Sequence, residues 1–195
     1  MLVDWRQDYD AVLVEAKAKN RPVLLDFNAA PSCLGSARLD AESYMDDEVS
    51  AYICGHFIPL RITLKQHPFE CDHFHVLWTP TILILDAVGE ERFRIEGYLS
   101  KDEFSAHLVL GLARTEFMEK RWQEATDFYV RILDKYPNTK AVAEALYWST
   151  VCCYKQTDDL RLLLERSDFD TRHRETIWAV KASVWKQKRV DVLVR

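Results

Sequence analysis

The chain has 195 residues, of which 48% are hydrophobic, and this content supports a packed core and excludes a globally disordered protein. The net charge is −5, with an acidic excess in residues 1–108 and a basic excess in residues 109–195, which indicates two units and argues against nucleic acid as a partner. No signal-peptide pattern opens the chain and no apolar run reaches the ~18 residues of a membrane span, so we expect a cytoplasmic protein that does not contact a membrane.

Helical and strand patterns alternate through residues 1–108. Apolar residues at helical spacing predict helices at residues 4–20, 34–54 and 68–75 and a further helix that begins at Ser100. Apolar or alternating runs predict strands at residues 23–27, 57–64, 82–86 and 92–96. This order, closed by a hairpin, predicts a three-layer α/β/α domain with a mixed sheet.

Two local signals refine this pattern. The long second helix is expected to break near Asp46 and Asp47, because either side chain can cap a new helix. Pro59 lies inside the second strand, and a proline there indicates a sheet edge or an irregular stretch, since it has no N–H group to donate.

Helical patterns dominate residues 109–195. Helices are predicted at residues 122–136, 140–154, 159–166 and 172–188. Short helices that recur at a spacing of ~34 residues indicate an all-α, repeat-like tail, and a plain helical bundle is the alternative.

Several short motifs in residues 5–108 resemble, in their order along the chain, those of the thioredoxin-like family. The motifs are Leu25-Asp26-Phe27, Cys33-Leu34-Gly35-Ser36, Trp78-Thr79-Pro80-Thr81, Gly89, and Gly97-Tyr98. An acidic helix start at Asp46-Asp47-Glu48-Val49 matches one branch of the family. Counting back from it aligns Cys33 with the first cysteine of the family's C-x-x-C motif and Ser36 with the second. Ser32 stands where the family usually has tryptophan, and a gap-free alignment from Asp26 would put Ser32 at the nucleophile position instead.

The residue types at this site indicate chemistry with one thiol. A thiolate is the nucleophile in disulfide exchange, and the N-terminus of a helix beginning near Leu34 would lower the pKa of Cys33. Ser36 lies one turn further on and can donate a hydrogen bond to the thiolate, but it has no thiol with which to resolve a mixed disulfide. Glutathione as a co-substrate, another protein thiol or a distant cysteine would have to complete the exchange; no bound cofactor is expected.

The resemblance also implies roles for four other residues. Thr79-Pro80 matches the family's cis-proline, which lies beside the active cysteine and binds the partner's extended chain; we assign partner binding to Trp78, Thr79 and Pro80. Asp26 matches the family's buried acid, which accepts a proton from the second thiol. Because Ser36 replaces that thiol, we expect Asp26 to be structural here, paired with Lys65 or a water molecule.

A second cluster contains histidine and cysteine. His67, Cys71 and His75 would share a helical surface if residues 68–75 are helical, and these are zinc-ligand types, but the spacing lacks a second C-x-x-C or H-x-x-x-H pair and we expect no metal. Cys71 is instead a candidate for the distant resolving thiol. We interpret Cys54, Cys152 and Cys153 as packing residues.

The tail resembles tetratricopeptide repeats at Ala113, Ala125, Tyr129 and Pro137. Such repeats bind protein partners, and about two copies would otherwise pack on the first domain or form a homodimer. We therefore predict a thioredoxin-like domain at 1–108 and a helical tail at 109–195. The function expected is thiol–disulfide exchange on protein thiols or disulfides in cell redox homeostasis. The alternative is a non-catalytic adaptor that binds proteins through the cis-proline cleft and the tail, so the sequence leaves open whether the protein is an enzyme.

Overall fold

The computed structural model describes residues 2–64, 66–165, 169 and 172–192. The chain divides into two compact units, Met1–Thr115 and Glu116–Arg195. In the described part of the chain, no helix combines the length and the apolar character that crossing a membrane requires.

A four-stranded mixed sheet forms the centre of the first unit, as predicted. Its strands are β1 (Val23–Asn28), β2 (Ile58–Thr63), β3 (Thr81–Leu85) and β4 (Glu91–Glu96). The spatial order is β2-β1-β3-β4, with β1 parallel to β2 and the other two pairs antiparallel. Strand β2 lies at an edge, which explains how it tolerates Pro59, and Arg6 adds a single parallel bridge to Leu60 on its outer side.

Helices surround this sheet. They are α1 (Tyr9–Lys19), α2 (Leu34–Leu39), α3 (Asp47–His56), α4 (Pro68–His73) and α5 (Lys101–Met118). A π-helical turn, Asp40–Tyr44, separates α2 from α3, and the Asp46 side chain caps α3 by accepting hydrogen bonds from the N–H groups of Glu48 and Val49. The predicted break in the second helix is therefore present. Helix α1 begins later than predicted, because Asp8 caps it by accepting a hydrogen bond from the Ala11 N–H group.

The alternation of side chains along β1 explains how the site is placed. Val23, Leu25 and Phe27 contribute to a core cluster with residues of α1, whereas Asp26 and Asn28 point to the opposite face. All six residues of β1 are buried, so the two polar side chains lie inside the protein. On the face opposite to α1, α5 packs so closely that a Cβ atom on Gly111 would lie 1.9 Å from Cδ1 of Ile84.

The second unit is helical, as predicted for the tail. Its helices are α6 (Trp122–Lys135), α7 (Ala141–Thr157), α8 (Leu160–Glu165) and α9 (Ile177–Val192). Tyr129 and Ile132 of α6 are buried, and Cys152 of α7 is fully buried within its helix, in agreement with a packing role. The resemblance to tetratricopeptide repeats remains a prediction.

Candidate functional site

Cys33 lies where the chain leaves the loop after β1 and enters α2. It is the N-cap residue of α2, with an extended backbone, and its sulfur lies 3.1 Å from the carbonyl oxygen of Thr79. The Thr79–Pro80 peptide bond is cis, and so is the Ala30–Pro31 bond in the loop before Cys33, which the sequence analysis did not anticipate. The structure thus brings Cys33, Thr79 and Pro80 together.

The surroundings of the sulfur favour the thiolate. Burial raises the pKa of Cys33, but hydrogen bonds to the sulfur from the side chains of Thr79 and Ser36 and from the backbone N–H groups of Ser36 and Gly35 lower it, to about 7 from 9.0. Thr79 affects the pKa of Cys33 in both directions, because its carbonyl oxygen accepts a hydrogen bond from the protonated thiol and so favours the neutral form. The net effect is a lowered pKa, because several donors to the thiolate oppose this single acceptor. Cys33 is also the N-cap residue of α2, where the helix favours negative charge.

Ser36 is fully buried in the first turn of α2. Its hydroxyl oxygen accepts a hydrogen bond from the backbone N–H of Ala29 at 3.2 Å, and its hydroxyl group bonds to the Cys33 sulfur. The carbonyl oxygen of Ala29 in turn accepts a hydrogen bond from the Cys33 N–H at 2.9 Å. Ser36 therefore joins the thiolate to the loop that precedes it.

Asp26 is fully buried and forms an ion pair that the sequence analysis did not identify. Its Oδ2 atom accepts hydrogen bonds from Nε of Arg61 at 2.9 Å and from Nδ2 of Asn28 at 3.2 Å. Burial raises the pKa of Asp26 to about 6, against the opposing effect of Arg61. The expected partner, Lys65, lies outside the described residues, so that pairing stays a prediction beside the observed contact with Arg61.

Arg61 connects two carboxylates. It lies beside Asp26 in the register of the parallel strands β1 and β2, and its Nη2 atom also donates to Oδ1 of Asp40 at 2.7 Å. Its guanidinium group lies over the ring of Trp5, with 4.4 Å between Cζ and the ring centroid. The one sequence signal for this role is an arginine inside a strand whose other residues are apolar except for Thr63.

The thiol at the start of α2 and the cis-proline beside it are accompanied by a sequence match to a known family. A family model described as a thioredoxin-like domain matches residues 9–111. The chain belongs to the thioredoxin-like family. In this chain the fourth residue of the Cys33-Leu34-Gly35-Ser36 motif is serine.

Curated relatives and one solved structure are similar to this chain over about half of its length. The thiol:disulfide interchange protein DsbD of Salmonella typhi is 32% identical over 99 residues, which cover 48% of this chain and 17% of the relative. DsbD of Escherichia coli strain K12 is 31% identical over 106 residues, or 52% of this chain and 18% of the relative. The matches therefore span less than a fifth of these relatives. The solution structure of a candidate disulphide-isomerase from Bacteroides thetaiotaomicron has a TM-score of 0.51 at 21% identity, covering 56% of this chain and 93% of the other, and supports the fold.

Apolar side chains are exposed at positions that flank Cys33 and Thr79 along the chain. Leu34 follows Cys33 and is 82% exposed, while Leu77 and Trp78 precede Thr79 and are 91% and 70% exposed. Thr81 fixes the backbone here, because its hydroxyl group donates to the Trp78 carbonyl oxygen at 2.8 Å. These residues form what we call the apolar rim: Leu34, Leu77 and Trp78.

The other predicted site residues of the thioredoxin-like domain are on or beside α4. Cys71, on α4, packs against the core cluster shared with α1, and burial raises the pKa of its thiol. All five cysteines are among the described residues, and no disulfide joins any of them. Helix α4 ends at His73, and His75 lies beyond it with a φ of 50°, so the helical surface expected to join His67, Cys71 and His75 does not form. Across the described part of the chain, no three His, Cys, Asp or Glu side chains are arranged to hold a metal ion.

Proposed function

We propose that the chain carries out thiol–disulfide exchange on protein thiols or disulfides, with Cys33 as its one reacting thiol. The observation that carries this proposal is the position of the Cys33 sulfur at the start of α2, 3.1 Å from the Thr79 carbonyl oxygen and with a pKa of about 7. At neutral pH, roughly half of such a thiol is ionised, and the thiolate is the form that attacks disulfides.

The proposed reaction has two steps. In the first, the Cys33 thiolate attacks one sulfur of a partner disulfide; a Cys33–partner disulfide forms, the partner's own disulfide breaks, and its second sulfur leaves as a thiolate that takes a proton from water. In the second, an external thiolate attacks the partner sulfur of the mixed disulfide; a disulfide forms between the external thiol and the partner, the Cys33–partner bond breaks, and Cys33 leaves as a thiolate. The oxygen of Ser36 cannot perform that second attack, so the second thiol must come from outside the site.

Glutathione is the external thiol that we propose. It is the main small thiol of reducing compartments, and the cytoplasm is the location that we propose for this chain. Ser36 supports this reading because its hydroxyl group stabilises the thiolate released at the end of the cycle. The cycle then needs no second cysteine in the chain.

The partner that we propose is an extended segment of another protein. Thr79 and Pro80 would bind its backbone beside Cys33, and the apolar rim would contact its apolar side chains. Removal of the Trp78 ring, as in Trp78→Ala, should weaken binding of such a segment without changing the ionisation of Cys33.

Mixed-disulfide formation tests the proposal. The full chain is incubated with oxidised glutathione at pH 7, and the mass of the intact protein is followed with time. We expect one glutathione adduct on Cys33, its removal by reduced glutathione, and no rapid adduct on Cys33→Ser. An unmodified Cys33, or an adduct that forms equally fast on Cys33→Ser, would overturn the proposal.

A second candidate function is a non-catalytic adaptor, which the exposed apolar rim favours on its own. An adaptor would bind protein partners through Trp78, Thr79 and Pro80 whether or not Cys33 reacts. The two functions separate in a pull-down with Cys33→Ser and Trp78→Ala. An adaptor loses its partners only with Trp78→Ala, whereas the exchange protein also loses disulfide-linked partners with Cys33→Ser.

A further inference from the structure

Asn28 is a buried polar residue to which neither the family motif nor the proposed exchange reaction gives a role. It is the last residue of β1, and it is 4% exposed. Its Nδ2 atom donates to Oδ2 of Asp26 at 3.2 Å and to Oδ1 of Asp40 at 3.4 Å. Its Oδ1 atom accepts a hydrogen bond from the backbone N–H of Ala30 at 2.7 Å. Both ends of the side-chain amide are therefore engaged.

The two ends of this amide contact different parts of the protein. The nitrogen faces the buried cluster made by Asp26, Arg61 and Asp40. The oxygen holds Ala30, in the loop that carries Cys33. The neighbouring residue, Ala29, is bonded through its carbonyl oxygen to the Cys33 N–H and through its N–H to the Ser36 hydroxyl.

The polar and titratable groups that face Asp26 come from three elements. Asn28 lies on its own strand, Arg61 on β2, and Asp40 and Tyr44 on the π-helical turn. With both carboxylates ionised, the three charged side chains leave one net negative charge beside the Asn28 amide. An amide nitrogen that donates to a carboxylate is polarised, and its oxygen becomes a stronger acceptor for the Ala30 N–H.

We propose that Asn28 is a positioning residue that links the buried Asp26–Arg61–Asp40 cluster to the loop carrying Cys33. The ionised Asp26 strengthens the bond from Asn28 to Ala30 and holds the loop in which Ala29 orients Ser36. When Asp26 is protonated, the Asn28 nitrogen donates to a weaker acceptor and the loop is held less firmly. The functional part of this inference rests on the proposed exchange at Cys33.

The chemical shift of the Ala30 amide, followed against pH by NMR, tests the link. In the wild-type chain we expect an inflection near pH 6, where Asp26 ionises. The inflection should disappear in Asp26→Asn and in Asn28→Leu, although the Asp26 carboxyl carbon still titrates in Asn28→Leu. Its midpoint there should be higher, because the Asn28 hydrogen bond lowers the pKa of Asp26.

Two results would overturn the link. One is a wild-type Ala30 amide without an inflection, which decides the question even if Asn28→Leu fails to fold. The other is an inflection that survives in folded Asn28→Leu. The same substitution at the exposed Asn138 provides a matched control and should leave the Ala30 titration unchanged.

The effect on Cys33 is measured separately. We expect Asn28→Leu to slow alkylation of Cys33 at pH 7 by about threefold to tenfold, because the donors around the thiolate lose their fixed positions. The Ala30 titration does not depend on Cys33 reactivity, so failure of the Asn28 link can be distinguished from failure of the proposed exchange function. An inert Cys33 with a titrating Ala30 amide would refute the exchange function alone, and a reactive Cys33 with a silent Ala30 amide would refute the link alone.

Discussion

A Cβ atom on Gly35 would lie 2.8 Å from Cδ of Pro80, closer than two such carbon atoms approach without repulsion. The first turn of α2 therefore rests directly on the proline beside the Cys33 sulfur. Pro80 cannot move aside easily, because its Cδ atom belongs to a ring bonded to the backbone nitrogen. Glycine at this position keeps Cys33 and Thr79 within contact distance.

Gly35→Ala should consequently damage both stability and exchange. We expect a loss of about 1–3 kcal/mol in the free energy of unfolding from the overpacked contact, measured in urea. Glutathione adduct formation on Cys33 should slow about tenfold, because α2 must move away from Thr79.

Gly55→Ala is the matched control for this prediction. Gly55 lies in α3 with no atom within 4 Å of an added Cβ, so alanine should stabilise by about 0.5–1 kcal/mol through its helix preference. Equal effects of the two substitutions would contradict the close contact between Gly35 and Pro80.

Ser36→Ala should raise the pKa of Cys33. The variant removes a hydroxyl donor to the thiolate and leaves the Ala29 N–H without its acceptor. Alkylation of Cys33 at pH 7 should slow by about threefold or more.

Ser32→Ala is the control for Ser36→Ala, since the exposed Ser32 hydroxyl donates to the Ala29 carbonyl oxygen rather than to the sulfur. A larger effect from Ser32→Ala than from Ser36→Ala would mean that Ser32, and not Ser36, stabilises the thiolate.

Ser36→Cys should convert the site to a two-thiol motif. The new thiol would lie one turn from Cys33 and could attack a mixed disulfide, so the variant should reduce insulin disulfides without glutathione. Cys33→Ser with Ser36→Cys serves as the control and should be inactive. If Ser36→Cys gains no insulin reduction while Cys33 still forms adducts, the alignment of Ser36 with the family's second cysteine is wrong.

Asp26→Asn should stabilise the protein more at pH 8 than at pH 4. Burial raises the pKa of Asp26 to about 6 from 3.8, so the folded state binds more protons than the unfolded state between these values. The free energy of unfolding of the wild type therefore falls as pH rises through this window, and the variant avoids that fall.

The expected gain of Asp26→Asn over wild type is about 2 kcal/mol larger at pH 8 than at pH 4, measured by urea unfolding at both pH values. Asp4→Asn, at a side chain that is 91% exposed, provides the control. The same gain from Asp26→Asn at both pH values would mean that burial does not raise the pKa of Asp26.

The fold could be predicted from the sequence because its signals are local. Each signal depends only on residues that are close in the chain. Examples are the apolar runs that form β1 and β3, the helix cap at Asp46 and the proline in β2. Helix α4 was predicted too long because its end depends on a distant contact: Phe74 leaves the helix and packs in the core, with its ring centroid 6.0 Å from that of Phe27.

Only those site residues that belong to the family's motifs were predicted from the sequence. Cys33, Ser36, Thr79 and Pro80 follow the order of the family's motifs. Arg61 was missed because its pairing with Asp26 depends on the register between β1 and β2, which periodicity does not determine. Asn28 and Asp40 were missed for a related reason, since a π-helical turn brings Asp40 back toward the end of β1.

The ionisation of Cys33 is tested most directly by the pH dependence of its alkylation in the full-length chain, followed by peptide mass spectrometry. We expect a midpoint of about 7 for Cys33. Labelling of Cys71 and Cys152 should be much slower, because burial raises the pKa of both thiols, that of Cys152 to about 12. A Cys33 midpoint at or above the ordinary thiol value of about 8.5 would contradict stabilisation of the thiolate at the start of α2.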